Sequence, residues 1–419
     1  MAWTELFLLA LGISLGLRFW LASRQIRHVA KNRAVVPAEF RDQIPLAAHQ
    51  KAADYTIAKV RLGLISLAIE TVVLIGFTQL GGLDWVQSQT TGLATGIWAG
   101  LALIAAVGLI SSIIDLPLSY YKQFVTEAQF GFNRMSKGLF FGDWLKGILL
   151  GAALGGPLVF AVLYLMREAG QAWWIWAWAL WFTFSLLMMW LFPTVIAPMF
   201  NKFEPLAEGT TRARIISLLQ RCGFDSDGLF VMDGSKRSSH GNAYFSGMGK
   251  AKRIVFFDTL LERLSEDQIE AVLAHELGHF KKKHIRKHLI FSGVSSLVMF
   301  AVLGWLMNAS WFYTDLGVTP DLANGPQAMA MILFMMVMPY FVFPVRPLMS
   351  WLSRKHEFEA DAYAAAQSDY KALISALVKL YEDNASTLTP DPLHSAFYDS
   401  HPPAAIRIQH LRQLSGGAA

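Results

Sequence analysis

Residues Ala172–Phe192 read "AWWIWAWALWFTFSLLMMWLF". The run carries no charge and has the roughly 20 residues that a helix needs to cross the hydrocarbon core of a bilayer. Six other runs share its texture, at about Leu6–Leu21, Leu62–Leu80, Leu93–Ile114, Ile148–Met166, Leu289–Met307 and Ala328–Val345. One such run fits a buried helix of a soluble protein; seven mark a polytopic membrane protein. Composition agrees. The 419 residues are 54% hydrophobic and 16% charged, against about 25% charged in an average globular chain, and the mean hydropathy is +0.38. The expected fold is an α-helical integral membrane protein with about seven transmembrane helices. We divide it into a membrane domain over 1–199, with five of those helices, and a second domain over 200–419 that holds the other two.

Charge placement orients the spans. Arg24, Arg27, Lys31 and Arg33 follow the first run, while its leader "MAWTELF" has no lysine or arginine. Bulky "RFWL" stands where a signal peptide would carry a small-residue cleavage site, so the run reads as an uncleaved anchor. The connections "GGLDWVQSQTTG" and "NASWFYTDLGVTPDLANGPQ" have no basic residue, and the one after the fourth run has only Arg167. Basic residues crowd the other side. The positive-inside rule therefore puts Arg24–Lys59, Lys122–Lys146, Phe200–Lys287 and the C-terminal tail in the cytoplasm, with the N-terminus outside. Short outer loops and the tail "LSGGAA", which has no retrieval signal, suggest a bacterial inner membrane. The net charge of +5 is accounted for by topology, so no nucleic-acid partner is expected. Cys222 is the single cysteine, which excludes an internal disulfide. Two charges lie within runs: Arg18, near a span end, should snorkel, and Glu70 should face a polar interior.

Between the fifth and sixth runs the texture changes. "GLFVMDG" (Gly228–Gly234), "NAYFSG" (Asn242–Gly247) and "KRIVFFD" (Lys252–Asp258) read as short strands, with "GMGKAK" (247–252) as a turn. Ser265, with Gln268 three residues on, predicts a capped helix from about Glu266 past His279. After the seventh run, Ser353–Gln367 reads as another helix, rich in alanine.

The capped helix carries "HELGH". His275 and His279, four apart, share a helix face and can hold one metal ion. Glu276 is placed to act as general base on a water. This is the HExxH arrangement of zinc peptidases. Gly278 allows close approach of a second backbone. The flanking Glu266, Asp267, Glu270 and three lysines put the motif beside a membrane rather than within a span. A catalytic zinc site needs a third protein ligand, and "HEFEAD" offers His356, Glu357, Glu359 and Asp361. Glu357 and Asp361 share a face, and Glu359 points roughly the opposite way. One carboxylate should bind metal and one should hold a ligand histidine through its free N–H; the spacing does not say which does which.

"HELGH" followed by "SRKHEFEADAYA" resembles the type I CAAX prenyl proteases, integral-membrane zinc endopeptidases of gluzincin type. Further blocks resemble that family in order: His49–Leu62, Glu127–Gly147, Phe192–Leu206, Ser238–Gly247, Arg253–Leu261 and Ser400–Ile408. The resemblance covers nearly the whole chain. It implies seven helices around an internal chamber, with a cytoplasmic peptidase domain containing a small β-sheet. It implies one Zn²⁺ per chain on His275, His279 and Glu357, with Asp361 behind them. It implies Glu276, His401 and Arg407 in catalysis, the last two near the scissile carbonyl, and substrate backbone bound along Asn242, Ala243 and Tyr244. The expected partners are membrane lipids and a peptide or protein substrate, prenylated in the family's eukaryotic members. A general quality-control endopeptidase is the alternative, although such relatives have fewer spans. A transporter with an incidental HExxH would lack the rest of the constellation. The sequence leaves the oligomeric state and the native substrate open.

Overall fold

The computed structural model describes residues 3–224, 228–246, 253–321 and 325–416. Among them, seven helices are long and apolar enough to cross a membrane: Trp3–Asn32, Leu46–Phe77, Ile97–Glu127, Lys137–Glu168, Gly170–Phe200, His284–Leu306 and Gln327–Gln367. They match the seven apolar runs in order, and several extend well past them. The chain is a multi-pass membrane protein. A core of apolar side chains joins the spans, including Phe7, Leu83, Trp173, Leu303, Phe312 and Leu333.

The other core belongs to the segments that follow the fifth span. Helix α1 (Thr210–Cys222), helix α2 (Glu266–Lys281) and helix α3 (His284–Leu306), which is the sixth span, precede α4 (Arg346–Gln367) and α5 (Ala404–Gly416). A four-stranded sheet has the order β1-β2-β4-β3, with β1 at Phe203–Pro205, β2 at Gly228–Met232, β3 at Ala243–Ser246 and β4 at Arg253–Phe257. The central pair β2–β4 is parallel, and β3 lies antiparallel on the outside of β4. The three expected strands are present and β1 is added to them. The turn expected at 247–252 lies outside the described residues. Ile254 and Phe256 of β4 and Leu273 and Leu277 of α2 meet in this core, where burying each large apolar side chain is worth about 1.5–3 kcal/mol.

Arg18, near a span end, has its guanidinium 4.2 Å from the Phe343 ring centre and lines two cavities together with Glu70. The faces of the Phe343 and Tyr340 rings receive the cation. The alanine-rich helix expected after the seventh span is present within α4, which starts earlier, at Arg346, and is joined to Gln327–Val342 by one 3₁₀ turn at Phe343–Val345. Pro344 and Pro347 sit in the first turns of their segments, where a missing N–H costs little. Glu70 meets its expectation: it accepts from Ser66 Oγ at 2.7 Å and shares a cavity with Arg18, Asp115 and Tyr340.

Candidate active site

Helix α2 begins as its sequence dictates. Ser265 Oγ accepts from Gln268 N–H, and Gln268 Oε1 accepts from Ser265 N–H at 2.9 Å. This reciprocal cap fixes the helical phase, and His275 and His279 emerge one turn apart on one face. Helix α4 packs across that face. Gly278 makes the crossing close, because a β-carbon there would stand 2.9 Å from Ala360 Cα. Glu357 is thereby brought to the histidines.

The three side chains converge. His275 Nε2 and His279 Nε2 are 3.2 Å apart. Glu357 Oε1 is 3.2 Å from His279 Nε2, and Oε2 is 3.5 Å from His275 Nε2. Among the described residues this is the one His/Cys/Asp/Glu group geometrically able to hold a metal ion. The donors fit such an ion. Two imidazole nitrogens and a carboxylate point at one centre, and Glu357 Oε2 is buried with no hydrogen-bond partner, a costly arrangement without a cation.

Behind His275 lies Asp361, which is fully buried. Its Oδ1 is 2.8 Å from His275 Nδ1. Arg407, on α5, clasps the same carboxylate, with Nε to Oδ2 at 2.9 Å and Nη2 to Oδ1 at 2.6 Å. Arg407 Nη1 also lies 3.5 Å from Glu357 Oε2. A buried carboxylate pair is tolerable only with such a partner. Burial opposes charge on His275, but its hydrogen bond to Asp361 and the neighbouring Glu357 carboxylate outweigh burial and push the imidazole up to about 9 in the metal-free protein.

A cleft of about 330 Å³ opens onto this group. It is lined by Asn242, Ala243, His275, Glu276, His401 and Arg407, with Leu260, Val272 and Tyr381 among its apolar walls. Glu276 has no ion pair or hydrogen bond among the described residues, so its carboxylate is free to meet a ligand. His401 is exposed, with Nε2 3.6 Å from Glu357 Oε1. Strand β3 borders the cleft from the outside edge of the sheet. Tyr244 does not line the cleft; it alternates away from Ala243 and meets the Phe257 ring instead.

Sequence reasoning missed the buttresses. Asn384 Oδ1 accepts from Gly241 N–H at 3.1 Å and lies 3.2 Å from His240 Nδ1. His240 also faces Glu127, which accepts from Tyr55 O–H at 2.7 Å. The approach to β3 is thus fixed from the second and third spans. No local pattern announces contacts between residues so far apart in sequence. Glu359 points away from Glu357 and Asp361, as expected, and pairs with His284 at 2.9 Å.

Comparison with known proteins agrees with this geometry. Residues 25–202 match the family described as CAAX prenyl protease N-terminal, five membrane helices, and residues 205–415 match Peptidase family M48. CAAX prenyl protease 1 homolog of Oryza sativa subsp. japonica is 38% identical over 86% of each chain. CAAX prenyl protease 1 of Saccharomyces cerevisiae is 34% identical over 94% of this chain and 92% of its own. The crystal structure of S. mikatae Ste24p superposes with a TM-score of 0.92 at 31% identity, covering 98% of this chain and 99% of that one. The chain therefore belongs to the CAAX prenyl protease 1 family and is a multi-pass membrane metalloendopeptidase with a family M48 peptidase domain, acting on peptide or protein substrates.

Proposed function

We propose that the metal is zinc, held by His275, His279 and Glu357, and that the enzyme trims the C-terminal end of a prenylated or otherwise membrane-associated peptide. The convergence of those three donors beside an unpaired Glu276 carries this reading. Two nitrogens and one oxygen with a position left open are a catalytic zinc set. When bound, zinc acts as a Lewis acid and lowers the pKa of a coordinated water from about 15.7 towards 7.

The protein's own groups do the rest. An extended substrate segment adds to the outer edge of β3, pairing main chain to main chain, with Asn242 at its start. Glu276 takes the proton of the attacking water and delivers it to the departing amine. His401, open to the cleft, donates towards the developing oxyanion. Arg407 serves from behind, by holding Asp361 against His275 and by setting positive potential beside Glu357. Asp361 keeps the His275 proton on Nδ1, so that Nε2 is free to ligate.

The basic loops support an orientation with the N-terminus outside and the site facing the cytoplasm, and the short outer loops favour a bacterial inner membrane as host. A lipid anchor on the substrate adds about 0.8 kcal/mol per buried methylene and concentrates a flexible tail at the site.

The test is product mass after incubation with three substrates: a farnesylated C-terminal peptide, its unprenylated counterpart and a folded soluble protein. Each is run with and without chelator, and with Glu276→Gln. Chelator-sensitive cleavage fastest on the farnesylated peptide is expected. Glu276-dependent degradation of the folded protein at comparable rate would favour a general quality-control protease and overturn the CAAX-type reading.

A further inference from the structure

His279 has a second neighbour besides the metal cluster. Its Nε2 faces His275 and Glu357, while its Nδ1 lies 3.0 Å from Nδ1 of His284. His284 is almost fully buried, and its Nε2 lies 2.9 Å from Glu359 Oε2. Lys287 Nζ stands 3.4 Å from the same oxygen. The His356 ring stacks on His284 at 4.1 Å, which restrains its rotation.

The sequence alone would not bring these rings together. In an unbroken helix, residues five apart lie about 140° apart around the axis. Lys283 breaks the helix with φ 58 and ψ 33, a left-handed conformation that a non-glycine residue adopts at some cost. The chain then restarts as α3 with His284 folded back onto His279.

Donor and acceptor logic fixes the protons. An ionised carboxylate only accepts, so the His284 proton sits on Nε2 and is donated to Glu359. Neutral His284 then presents a bare Nδ1, which accepts from His279 Nδ1–H. His279 is then left with its Nε2 lone pair for a metal ion, once such an ion displaces the proton that Nε2 would otherwise share with Glu357 Oε1. We infer that the His284–Glu359 pair is a positioning relay that sets the tautomer and ring orientation of His279, the counterpart of Asp361 behind His275. The inference rests on His279 being a metal ligand, as proposed above.

The experiment measures zinc affinity of the purified full-length protein by competition with a chromophoric chelator, beside thermal unfolding. His284→Phe keeps a ring for stacking and removes the acceptor. Glu359→Gln removes the charge, and its amide can donate to His284 Nε2 as readily as accept from it, so the His284 proton is no longer held on Nε2. Each should lose zinc affinity by about 10–100-fold. His284→Asn places an amide oxygen where Nδ1 was and accepts from His279 without help from Glu359. It should hold zinc nearly as the wild type does and should suppress the loss caused by Glu359→Gln. A clasp that only joins α3 to α4 would show no such rescue, so equal loss from Glu359→Gln with and without His284→Asn overturns the inference. Wild-type affinity in both His284→Phe and Glu359→Gln overturns it too. His279→Ala is the control: zinc loss there keeps the ligand assignment whatever the relay variants do, and zinc retention there rejects the assignment itself.

Discussion

Gly278 lies flat against Ala360: a β-carbon on Gly278 would stand 2.9 Å from both the Cα and the carbonyl oxygen of Ala360, and 3.2 Å from Tyr363 Cβ. Backbone cannot step aside as a side-chain tip can. Gly278→Ala should therefore push α4 away from α2 and carry Glu357 off the two histidines. Overpacking of this kind costs about 1–3 kcal/mol. Thermal unfolding and metal content of the variant are the measurements, and wild-type values for both would show that the crossing tolerates a methyl group.

Glu276→Gln should separate chemistry from binding. The amide cannot accept a proton, yet residue 276 is not in the donor cluster. Zinc content should stay at the wild-type level while turnover falls by about 10²–10⁴-fold. Near-normal turnover on a farnesylated peptide would remove Glu276 from the role of base.

The carboxylates of α4 should rank by their geometry. Glu357→Ala removes a donor and should cost the most metal. Asp361→Ala leaves the buried Arg407 without its clasped partner and releases the His275 proton from Nδ1, and should cost about 10–100-fold in zinc affinity. Chelator competition gives the order, and an Asp361 variant weaker in zinc than the Glu357 variant would reverse the two roles.

Zinc uptake should depend on pH through His275. In the metal-free protein its imidazole is pushed up to about 9, so at neutral pH it carries a proton that zinc must displace. Apparent zinc affinity should rise by about tenfold per pH unit, levelling off near pH 9. The sign for the metal-free fold is opposite. A raised imidazole stabilises the folded state below its unfolded value of about 6.5, and this contribution is lost as pH rises through about 9. Affinity titrations and apo-protein melts over pH 6.5–9.5 read both trends, and a flat affinity profile would show that His275 is already neutral before zinc arrives.

Features set by local periodicity were legible in the sequence. The uncharged runs announced the spans, the cap at Ser265 set the phase of α2, and the four-residue spacing of His275 and His279 put both on one face. Glu357 and Asp361 were separated from Glu359 by the same periodicity. What stayed hidden depends on contacts across the chain. The Arg407–Asp361 clasp joins residues 46 apart. β1 is three residues ending in a proline, too short to show alternation. The ring that receives the Arg18 guanidinium, Phe343, follows Gln327–Val342 of the seventh span, and no pattern around Arg18 announces it. His284 reads as part of a basic run, and only the left-handed turn at Lys283 gives it a partner.

Helix α4 is the direct continuation of the seventh span, and α2 leads within three residues into the sixth. On the proposed ligand set, an ion held by His275, His279 and Glu357 would fasten two membrane-rooted rods to each other at one end. Stripping the metal unties that knot. The loss should be felt along the lipid-embedded lengths of both rods as well as in the cleft, with looser packing and a lower melting temperature for the whole bundle. By reciprocity, a bilayer whose thickness changes the tilt of either rod will alter how firmly the ion is gripped.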